Sequence, residues 1–334
     1  MKKLAHFFPL YLALVLISGY TNAQSNSLPG EALIPVIFDT DANNELDDQH
    51  ALAYLLLNTD VFDVIGITVN ATRNGGDINR HMDEAHRVVN LVGWNGRIPV
   101  VKGANGNFPE IVDQVGDSEF DGSEAVDFII AEAMKQRKEP LVLIPVGKLT
   151  NIALALEKKP AIARRIRVVW LGSNYPEPGE YNLVNDTASM SYVLNTGVPF
   201  EMVTVRYGQS SGTAAVKVKR INVYKRMPGL GPVIEVPVTG RHGGTFTCFG
   251  DYSVDLFRHI EHLEDGCFRS LFDMAAVAIV KDPTWAKATE VPCPAYIKNQ
   301  WVEQPENKRT ILVWEDFNTE KILADFYSTL ENAK

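Results

Sequence analysis

Five acidic side chains crowd into ten residues directly after a short apolar segment near the start of the chain. The apolar segment, residues 34–38, is typical of a buried strand, and residues 51–57 predict the start of an apolar helix. The acidic side chains between them are Asp39, Asp41, Glu45, Asp47 and Asp48. We call residues 39–48 the acidic loop. In an open α/β sheet, the loop at the carboxyl end of a strand is where ligands usually bind.

The density of negative charge in the acidic loop predicts a bound cation. Carboxylates packed this closely raise one another's pKa unless a positive charge neutralises them. Oxygen ligands favour a hard ion such as Ca²⁺ or Mg²⁺. The alternative is a solvated acidic turn in which Asp47 or Asp48 only caps the following helix, because charge runs are often solvated loops.

The first 23 residues have the pattern of an export signal. Lys2 and Lys3 supply a positive start, residues 7–17 form an apolar core, and residues 21–23 offer small side chains for cleavage. The apolar core is too short for a comfortable membrane span. The segment therefore predicts an exported protein, periplasmic or secreted, whose mature chain begins at Gln24.

Net charge limits the partners of the mature chain. The whole sequence has a formal charge of -9, and removal of a segment with two lysines and no acidic residue takes it to -11. Such a surface repels nucleic acid and anionic membranes, so we expect neither as a partner. A neutral small molecule suits this charge better than a phosphorylated one.

Residues 24–334 are predicted to form a single domain. The sequence is 46% hydrophobic, and neither a low-complexity linker nor an internal repeat divides it. The cysteines Cys248, Cys267 and Cys293 have neither the number nor the spacing of a disulfide framework or a zinc site. One disulfide remains possible in an oxidising compartment.

Short β-type segments alternate with longer helical patterns through the first half of the chain. Strands are predicted at 61–69, 98–102, 141–146 and 166–171, with helices at 81–92, 124–137 and 151–158. The alternation indicates an α/β fold with an open, mostly parallel, doubly wound sheet flanked by helices. Residues 209–251 predict long loops and irregular strands that cover the site. A helix at 271–279, a strand from 310 and a final helix complete the chain.

Polar residues follow several of these predicted strands. Because the loops after parallel strands gather at one edge of a sheet, Asp41, Asn70, Val146 and Asn174 can converge there although they are far apart in sequence. A functional site built from all four loops is therefore predicted at this edge.

Three later features belong with the acidic loop. Residues 143–156 predict a strand that turns through a glycine into a helix, with unpaired backbone groups at the ligand edge. Glu180, Asn182 and Asp186 form a polar cluster able to hold several hydroxyl groups. Asp273 lies inside an apolar run, where a carboxylate is costly unless something pairs with it.

Together these features resemble the inosine/uridine-type nucleoside hydrolase family, whose hallmark is an Asp-Thr-Asp loop ending in Asp-Asp just before a helix. The resemblance extends from Pro35 to about Leu330. The matching residues are Asp39, Thr40, Asp41, Asp47 and Asp48 for the hallmark, PVGKLTNIALAL for the central strand-turn-helix, Glu180 to Asn182 for a ribose-binding triplet, and Asp273 for the last metal ligand.

The resemblance implies a role for each matching residue. Asp41, Asp48 and Asp273, with the backbone carbonyl of Val146, are implied ligands of one Ca²⁺ ion. Asp41 is also the implied general base for the attacking water. The implied ribose ligands are Asp47 for the 2′-hydroxyl and Glu180 and Asn182 for the other hydroxyls, with Asn70 and Asn174 as further candidates.

The implied reaction is hydrolysis of the N-glycosidic bond of ribonucleosides or related N-ribosides, through a state in which carboxylates stabilise positive charge on the sugar. The substrate is a small molecule. The resemblance also implies a homo-oligomer. The base specificity stays open.

The chain departs from the family pattern at two places. Five residues, 42–46, separate the second Asp from the Asp-Asp pair, where three are usual, and Glu45 becomes an extra ligand or points to solvent; we favour solvent. Phe272 precedes Asp273 where many members carry a histidine thought to protonate the leaving base. His242 and Tyr252 are candidate substitutes for that proton donor.

Other functions remain open from the sequence. Haloacid-dehalogenase-type phosphatases also begin with Asp-x-Asp after a strand, a spacing that Asp39 and Asp41 match. A protein that binds Ca²⁺ and a sugar or nucleoside without turnover, or one that hydrolyses another glycoside, fits the altered loop. A dinucleotide site is not supported, because no Gly-x-Gly-x-x-Gly follows the first strand.

Overall fold

A central β-sheet of eight strands organises the protein. The computed structural model describes residues 32–260, 263–264 and 266–333. The export signal predicted at residues 1–23 lies outside the described residues and stays a prediction. From Leu33 onward the chain forms one compact unit.

The strands of the described residues belong to the central sheet or to three short antiparallel pairs. They are β1 (Ile34–Thr40), β2 (Phe62–Val69), β3 (Val100–Lys102), β4 (Leu141–Pro145), β5 (Ile166–Ser173), β6 (Phe200–Thr204), β7 (Lys217–Lys219), β8 (Val238–Thr239), β9 (Thr245–Phe246), β10 (Phe268–Ser270), β11 (Lys287–Pro292), β12 (Ala295–Ile297), β13 (Gln300–Val302) and β14 (Thr310–Glu315).

Helices connect most of the strands. The α-helices of the described residues are α1 (Asp47–Leu57), α2 (Ile78–Leu91), α3 (Phe108–Ile111), α4 (Ser123–Met134), α5 (Thr150–Lys158), α6 (Tyr181–Asn185), α7 (Thr187–Asn195), α8 (Arg220–Arg226), α9 (Phe249–His259), α10 (Phe272–Lys281) and α11 (Thr319–Asn332). Short 3₁₀ turns lie at Val112–Gln114, Pro160–Arg164, Thr213–Ala215 and Pro283–Trp285.

The order of the central sheet is β11-β14-β6-β5-β4-β1-β2-β3. Strand β1 pairs in parallel with both β2 and β4, and the edge strand β11 runs antiparallel to β14. The predicted open, mostly parallel sheet is confirmed. From β1 the chain adds β2 and β3 on one side, and it then returns to add β4, β5 and β6 on the other side of β1. The connections that leave β1 and β4 therefore lead in opposite directions. Such a switch point is where open α/β sheets bind their ligands.

Helices cover both faces of the sheet, as a doubly wound fold requires. One apolar cluster contains Phe38 together with residues of α1, α10 and α11, and the other contains Ile37 together with residues of α4, α5 and α7. Ile37 and Phe38 are neighbours in β1, and successive side chains of a strand point to opposite faces. The sheet is therefore buried on both sides.

Two local features differ from the sequence prediction. Helix α1 begins at Asp47, earlier than the predicted start at residue 51, so Asp47 and Asp48 form its first turn. Carboxylates are favourable there because the helix dipole is positive at its amino end. Residues 209–251 are more regular than predicted, since they contain helix α8 and the first turn of α9.

All three cysteines are free, with Cys248 and Cys293 buried and Cys267 exposed. Within the described residues, every helix is too short or too polar to cross a bilayer.

Candidate active site

A cavity of about 700 Å³ opens at the switch point of the sheet. One group of lining residues, which we call the acidic end, comprises Asp41, Asp47, Asp48, Val146, Glu180, Asn182 and Asp273. Aromatic and basic side chains also line the cavity, and we call Tyr207, Lys217, Arg269 and Phe272 the aromatic end. All seven residues of the acidic end were candidates from the sequence.

Two helix starts bring three carboxylates together at the acidic end. Asp47 and Asp48 lie in the first turn of α1, and Asp273 lies in the first turn of α10, which packs against α1. Carboxylate oxygens of these three residues lie within 4.8 Å of one another. The positive ends of both helix dipoles favour negative charge at this point.

The negative charge of this cluster is largely uncompensated. Burial raises the pKa of Asp41 to about 7, and burial and neighbouring carboxylates raise the pKa of Asp48 and Asp273 well above the usual range. Among the described residues, the sole cationic side chain within 4 Å of the cluster is Arg269, whose Nη2 lies 3.6 Å from Asp47. Charges buried in this way need a counter-ion.

The donor atoms fit a hard divalent cation. All of them are oxygens, which Ca²⁺ and Mg²⁺ prefer. Two oxygens that share a Ca²⁺ ion at its usual bond length are separated by at most about 5 Å, and the observed separations stay within 4.8 Å. The sequence prediction had Asp41, Asp48 and Asp273 as side-chain ligands; the structure groups Asp47 with the last two.

Asp41 sits beside this cluster, just beyond the end of β1. Its carboxylate accepts a hydrogen bond from the Thr72 hydroxyl at 2.5 Å and lines the cavity. A Cβ atom at Gly147 would lie 3.0 Å from Asp41 Oδ1. A glycine in the turn after β4 therefore gives the Asp41 carboxylate its space. The longer acidic loop has not displaced Asp41 from the cavity.

The backbone after β4 is held by Asn182. The Asn182 amide donates to the Val146 carbonyl at 2.7 Å and to the Leu171 carbonyl at 3.1 Å. Since both hydrogens of the amide nitrogen are used, its oxygen is the atom available to a ligand. Asn182 thus ties the ends of β4 and β5 together while it lines the cavity.

Glu180 is the N-cap of helix α6. Its carboxylate accepts a hydrogen bond from the Leu183 backbone N–H at 2.9 Å, which fixes its direction into the cavity. Burial raises the pKa of Glu180 to about 7. This carboxylate can accept hydrogen bonds from hydroxyl groups of a ligand.

Asn70 and Asn174 were predicted to bind substrate, but neither lines the cavity. The Asn70 amide donates to Asp39 at 2.8 Å, behind the cavity wall. The Asn174 amide donates to the Pro178 carbonyl at 3.3 Å and accepts from the Tyr207 N–H at 3.0 Å. The Asn174 amide is engaged through both its nitrogen and its oxygen, whereas the Asn70 oxygen is buried without a hydrogen-bond partner among the described residues.

Asp186 also turns away from the cavity. It caps helix α7 through the Ser189 N–H at 3.0 Å and accepts hydrogen bonds from the Thr150 hydroxyl at 2.6 Å and the Phe108 N–H at 2.7 Å. Its role is to hold α3, α5 and α7 together. The predicted polar cluster therefore contributes only its first two members to the cavity.

Asp39 is enclosed by three side-chain donors. Thr68, Asn70 and Asn151 donate to its two oxygens at 2.6, 2.8 and 2.7 Å. Asp39 is 1% exposed and does not line the cavity. A phosphatase of the haloacid-dehalogenase type would use this carboxylate as its nucleophile, and here it cannot reach a substrate.

The expectation of a solvent-facing Glu45 holds only in part, because its side chain is 36% exposed but does not point freely into solvent. Glu45 lines the cavity, and its carboxylate lies 3.2 Å from Nη2 of Arg269. From the other side, Arg241 donates to the carbonyls of Asn43 and Glu45 at 3.3 and 3.2 Å. Two arginines that are distant in sequence therefore hold the longer acidic loop.

The two candidate proton donors do not line the cavity. His242 stacks on His259 with their ring centroids 4.4 Å apart, and Tyr252 is buried and donates to Glu84 at 2.6 Å. Phe272 itself belongs to the aromatic end, where the Tyr207 ring packs edge to face against it with the ring centroids 5.9 Å apart. Sequence reasoning missed Tyr207, Lys217 and Arg269, and no local motif marks them.

Known proteins resemble this chain in sequence and in fold. The family described as inosine-uridine preferring nucleoside hydrolase matches residues 36–326. The chain is 30% identical over 189 residues to the pyrimidine-specific ribonucleoside hydrolase RihA of Shewanella woodyi, a match that covers 50% of this chain and 59% of that protein. It is 29% identical over 182 residues to the inosine-uridine preferring nucleoside hydrolase of Leishmania major, covering 52% of each. The chain thus spans less than two thirds of the length of these curated relatives.

Solved structures share the fold. The purine-preferring ribonucleoside hydrolase from Gardnerella vaginalis superposes with a TM-score of 0.68 at 20% identity, covering 90% of this chain and 98% of that one. The plant nucleoside hydrolase PpNRh1 superposes with a TM-score of 0.69 at 16% identity, covering 90% and 100%. At these identities the likeness establishes the architecture alone.

Proposed function

The chain belongs to the inosine-uridine preferring nucleoside hydrolase family, and we propose that it hydrolyses the N-glycosidic bond of ribonucleosides or related N-ribosides, releasing a base and ribose. The observation that carries the proposal is the group of buried, uncompensated carboxylates at the switch point of the sheet. A reaction that develops positive charge on a sugar is stabilised by such a group.

Asp41 is the proposed general base. It lines the cavity beside the cluster, and its pKa of about 7 in the cation-free protein gives it affinity for a proton near neutral pH. The proton that it accepts comes from the water that attacks the sugar carbon. Because Asp41 keeps this position despite the longer acidic loop, turnover is favoured over binding alone.

Ca²⁺ is the proposed cation. Asp48 and Asp273, together with Asp41 and the Val146 carbonyl, would hold it, and Asp47 lies within the same group of oxygens. When bound, such an ion lowers the pKa of a coordinated water and orients neighbouring hydroxyl groups. The buried carboxylates are the support for this assignment, since they are oxygen donors without a matching positive charge.

The ribose would lie between Asp47, Glu180 and Asn182. The carboxylates accept hydrogen bonds from hydroxyl groups, and the Asn182 oxygen is the free acceptor of its amide. The Glu180 carboxylate also faces the developing positive charge of the sugar. A neutral riboside fits the acidic end better than a phosphorylated one.

The test is release of reducing sugar from a panel of purine and pyrimidine nucleosides by the purified protein. We expect ribose release that a chelator abolishes and added Ca²⁺ restores. Thermal melting in both conditions checks that the chelated protein is still folded. Ribose release that is insensitive to the chelator would refute the Ca²⁺ assignment, and the absence of any release would refute the hydrolase assignment.

Export is a separate proposal that rests on residues 1–23. Sequencing the amino terminus of the protein isolated from its native cells tests it, with Gln24 as the expected first residue. A protein that begins at Met1 would contradict it.

A further inference from the structure

Arg269 contacts both groups of residues that line the cavity. It lies in β10, and its Nη2 is 3.2 Å from Glu45 and 3.6 Å from Asp47. Its guanidinium carbon lies 5.6 Å from the centre of the Phe272 ring. The side chain is only 13% exposed and lines the cavity. It therefore reaches from the proposed ribose ligand Asp47 to the aromatic end.

The guanidinium has hydrogen-bonding capacity left over. It carries five N–H donors, and both of its ion pairs are made through Nη2. Its Nε is buried without a hydrogen-bond partner among the described residues. Because Nε is shielded, the donors that a ligand in the cavity can reach are those of the terminal nitrogens, and Nη1 makes neither ion pair.

The other basic residue at this end is less suited to such a contact. Lys217 is 38% exposed and lies 3.2 Å from the Glu264 carboxylate, with its ammonium group also over the Phe268 ring. An ammonium ion is a compact, strongly hydrated charge, whereas a guanidinium presents a planar fork that matches paired acceptors. Arg269 is the better donor to a flat heterocycle with carbonyl oxygens.

We propose that Arg269 donates hydrogen bonds to the departing base and stabilises the negative charge that it acquires, so that the enzyme prefers bases whose ring carbonyl groups delocalise that charge. The inference rests on the proposed function and names the leaving-group class of the same site. Stabilisation by Arg269 takes the place of protonation by a histidine, because this chain has Phe272 where many family members carry that histidine.

The electrons and protons balance without an acid in the protein. The pair of electrons of the C–N bond goes to the ring nitrogen of the base, and water forms the new C–O bond while Asp41 takes its proton. Arg269 keeps its own proton, because a guanidinium is not deprotonated in proteins. The base anion takes a proton from solvent after it leaves, and Asp41 returns its proton to solvent.

Tyr207 does not supply the missing acid efficiently. Its ring lies at the aromatic end, and burial raises the pKa of its hydroxyl. A group that holds its proton more tightly is a weaker general acid at neutral pH. Stabilisation of an anion by a fixed positive charge does not have this limit.

A series of substituted phenyl ribosides and uridine tests the inference. In Arg269→Met, we expect kcat/KM for uridine to fall by about 10²-fold, as for loss of a donor to a developing anion. The loss for 4-nitrophenyl riboside, whose phenolate is already stable, should be under about tenfold by the same reasoning. Across the series, kcat/KM should depend more steeply on the pKa of the leaving phenol than in the wild type.

Two further variants control the measurement. Arg226→Met makes the same change at an exposed ion pair with Glu331 and should match the wild type for every substrate. Arg269→Lys keeps the charge but loses the planar fork of donors. Its kcat/KM should fall by less than in Arg269→Met, with the same steeper dependence on the pKa of the leaving phenol. This variant replaces Arg269→Met if the latter fails to fold.

An equal loss for all leaving groups in folded Arg269 variants would overturn the inference while the proposed function stands. Failure of the wild type to release ribose from any of these substrates would overturn the proposed function itself.

Discussion

Asp39 and Asp41 stand two residues apart at the end of the same strand, and each is 1% exposed, yet their surroundings differ completely. Three side-chain donors from Thr68, Asn70 and Asn151 surround Asp39. Asp41 receives one side-chain hydrogen bond, from Thr72, and otherwise faces the cavity and other carboxylates. Burial raises the pKa of Asp39 to about 6 and that of Asp41 to about 7.

The difference separates a carboxylate that protein donors enclose from one that faces the cavity. Hydrogen bonds to Asp39 offset much of the cost of its burial and link β1 to β2 and α5. Asp41 lacks this compensation, so its charge is available to a cation, a water or a substrate. Burial alone therefore does not distinguish the two carboxylates, whereas the number of side-chain donors around each one does.

The largest expected effect is that of Asp41→Asn on turnover. Loss of the proposed general base should lower kcat by about 10²- to 10⁴-fold. The free energy of unfolding in chelator should stay the same or rise, because a buried charge without a partner is removed. Ribose release and urea denaturation measure the two quantities. An Asp41→Asn protein with wild-type turnover would contradict the assignment of Asp41.

Asp39→Asn should show the opposite behaviour, with its main effect on stability. The amide nitrogen would face donors and leave at least one of them unpaired, which should lower the free energy of unfolding by about 3 kcal/mol. Asp63→Asn, at an exposed position of β2, is the matched control and should change stability by less than about 0.5 kcal/mol. Equal stability of the Asp39 and Asp63 variants would mean that the donors around Asp39 do not stabilise the fold.

Ca²⁺ should stabilise the protein through the carboxylates near Asp41 and not through Asp39. At about 100 times its dissociation constant, a ligand adds about 2.7 kcal/mol to the free energy of unfolding. Thermal melting with and without Ca²⁺ should show this gain in the wild type and in Asp39→Asn. Asp273→Asn should lose most of the gain. An undiminished response in Asp273→Asn would place the ion elsewhere.

The smallest effects should come from two threonines, Thr72, whose hydroxyl donates to Asp41, and Thr68, whose hydroxyl donates to Asp39. Thr72 lowers the pKa of Asp41 by donating to its charged form, so Thr72→Val should raise that pKa. Since Asp41 acts as a base when deprotonated, activity is lost as pH falls through its pKa, and the acid limb of kcat/KM should move to higher pH. Thr68→Val should leave the limb in place and cost about 1 kcal/mol of stability.

A shift of the acid limb in Thr68→Val, or an unshifted acid limb in Thr72→Val, would contradict the distinction between the two carboxylates. The pH profile of kcat/KM and urea denaturation of both variants provide the measurements.

Local pattern was a good guide to the fold. The period of the apolar residues predicted the strands of the first half within about two residues, because burial on both faces of a parallel sheet leaves uninterrupted apolar runs. It placed the start of α1 too late, since Asp47 and Asp48 are helical without being apolar. Polar residues at a helix start carry a capping signal that apolar periodicity ignores.

The acidic end of the cavity was predictable for a related reason. Carboxylates next to buried segments stand out in a sequence, and the residues predicted there do line the cavity: Asp41, Asp47, Asp48, Val146, Glu180, Asn182 and Asp273. Asn70 and Asn174 follow strands just as Asp41 does, but neither lines the cavity, and the amide nitrogen of each donates to a protein group. Position after a strand does not fix the direction of a side chain.

The sequence by itself determined the doubly wound sheet and the acidic group at its switch point, because apolar period and charge density are local properties of the chain. Only the tertiary structure decided that Glu45 turns inward, that Arg269 from β10 meets it, and that Asp39 is enclosed while Asp41 is not. The contacts of Glu45 with Arg269 and of Asp39 with Asn151 join residues more than 100 positions apart, and the contacts of Asp39 with Thr68 and Asn70 join residues 29 and 31 positions apart. Their formation depends on how strands and helices pack, which no short pattern records.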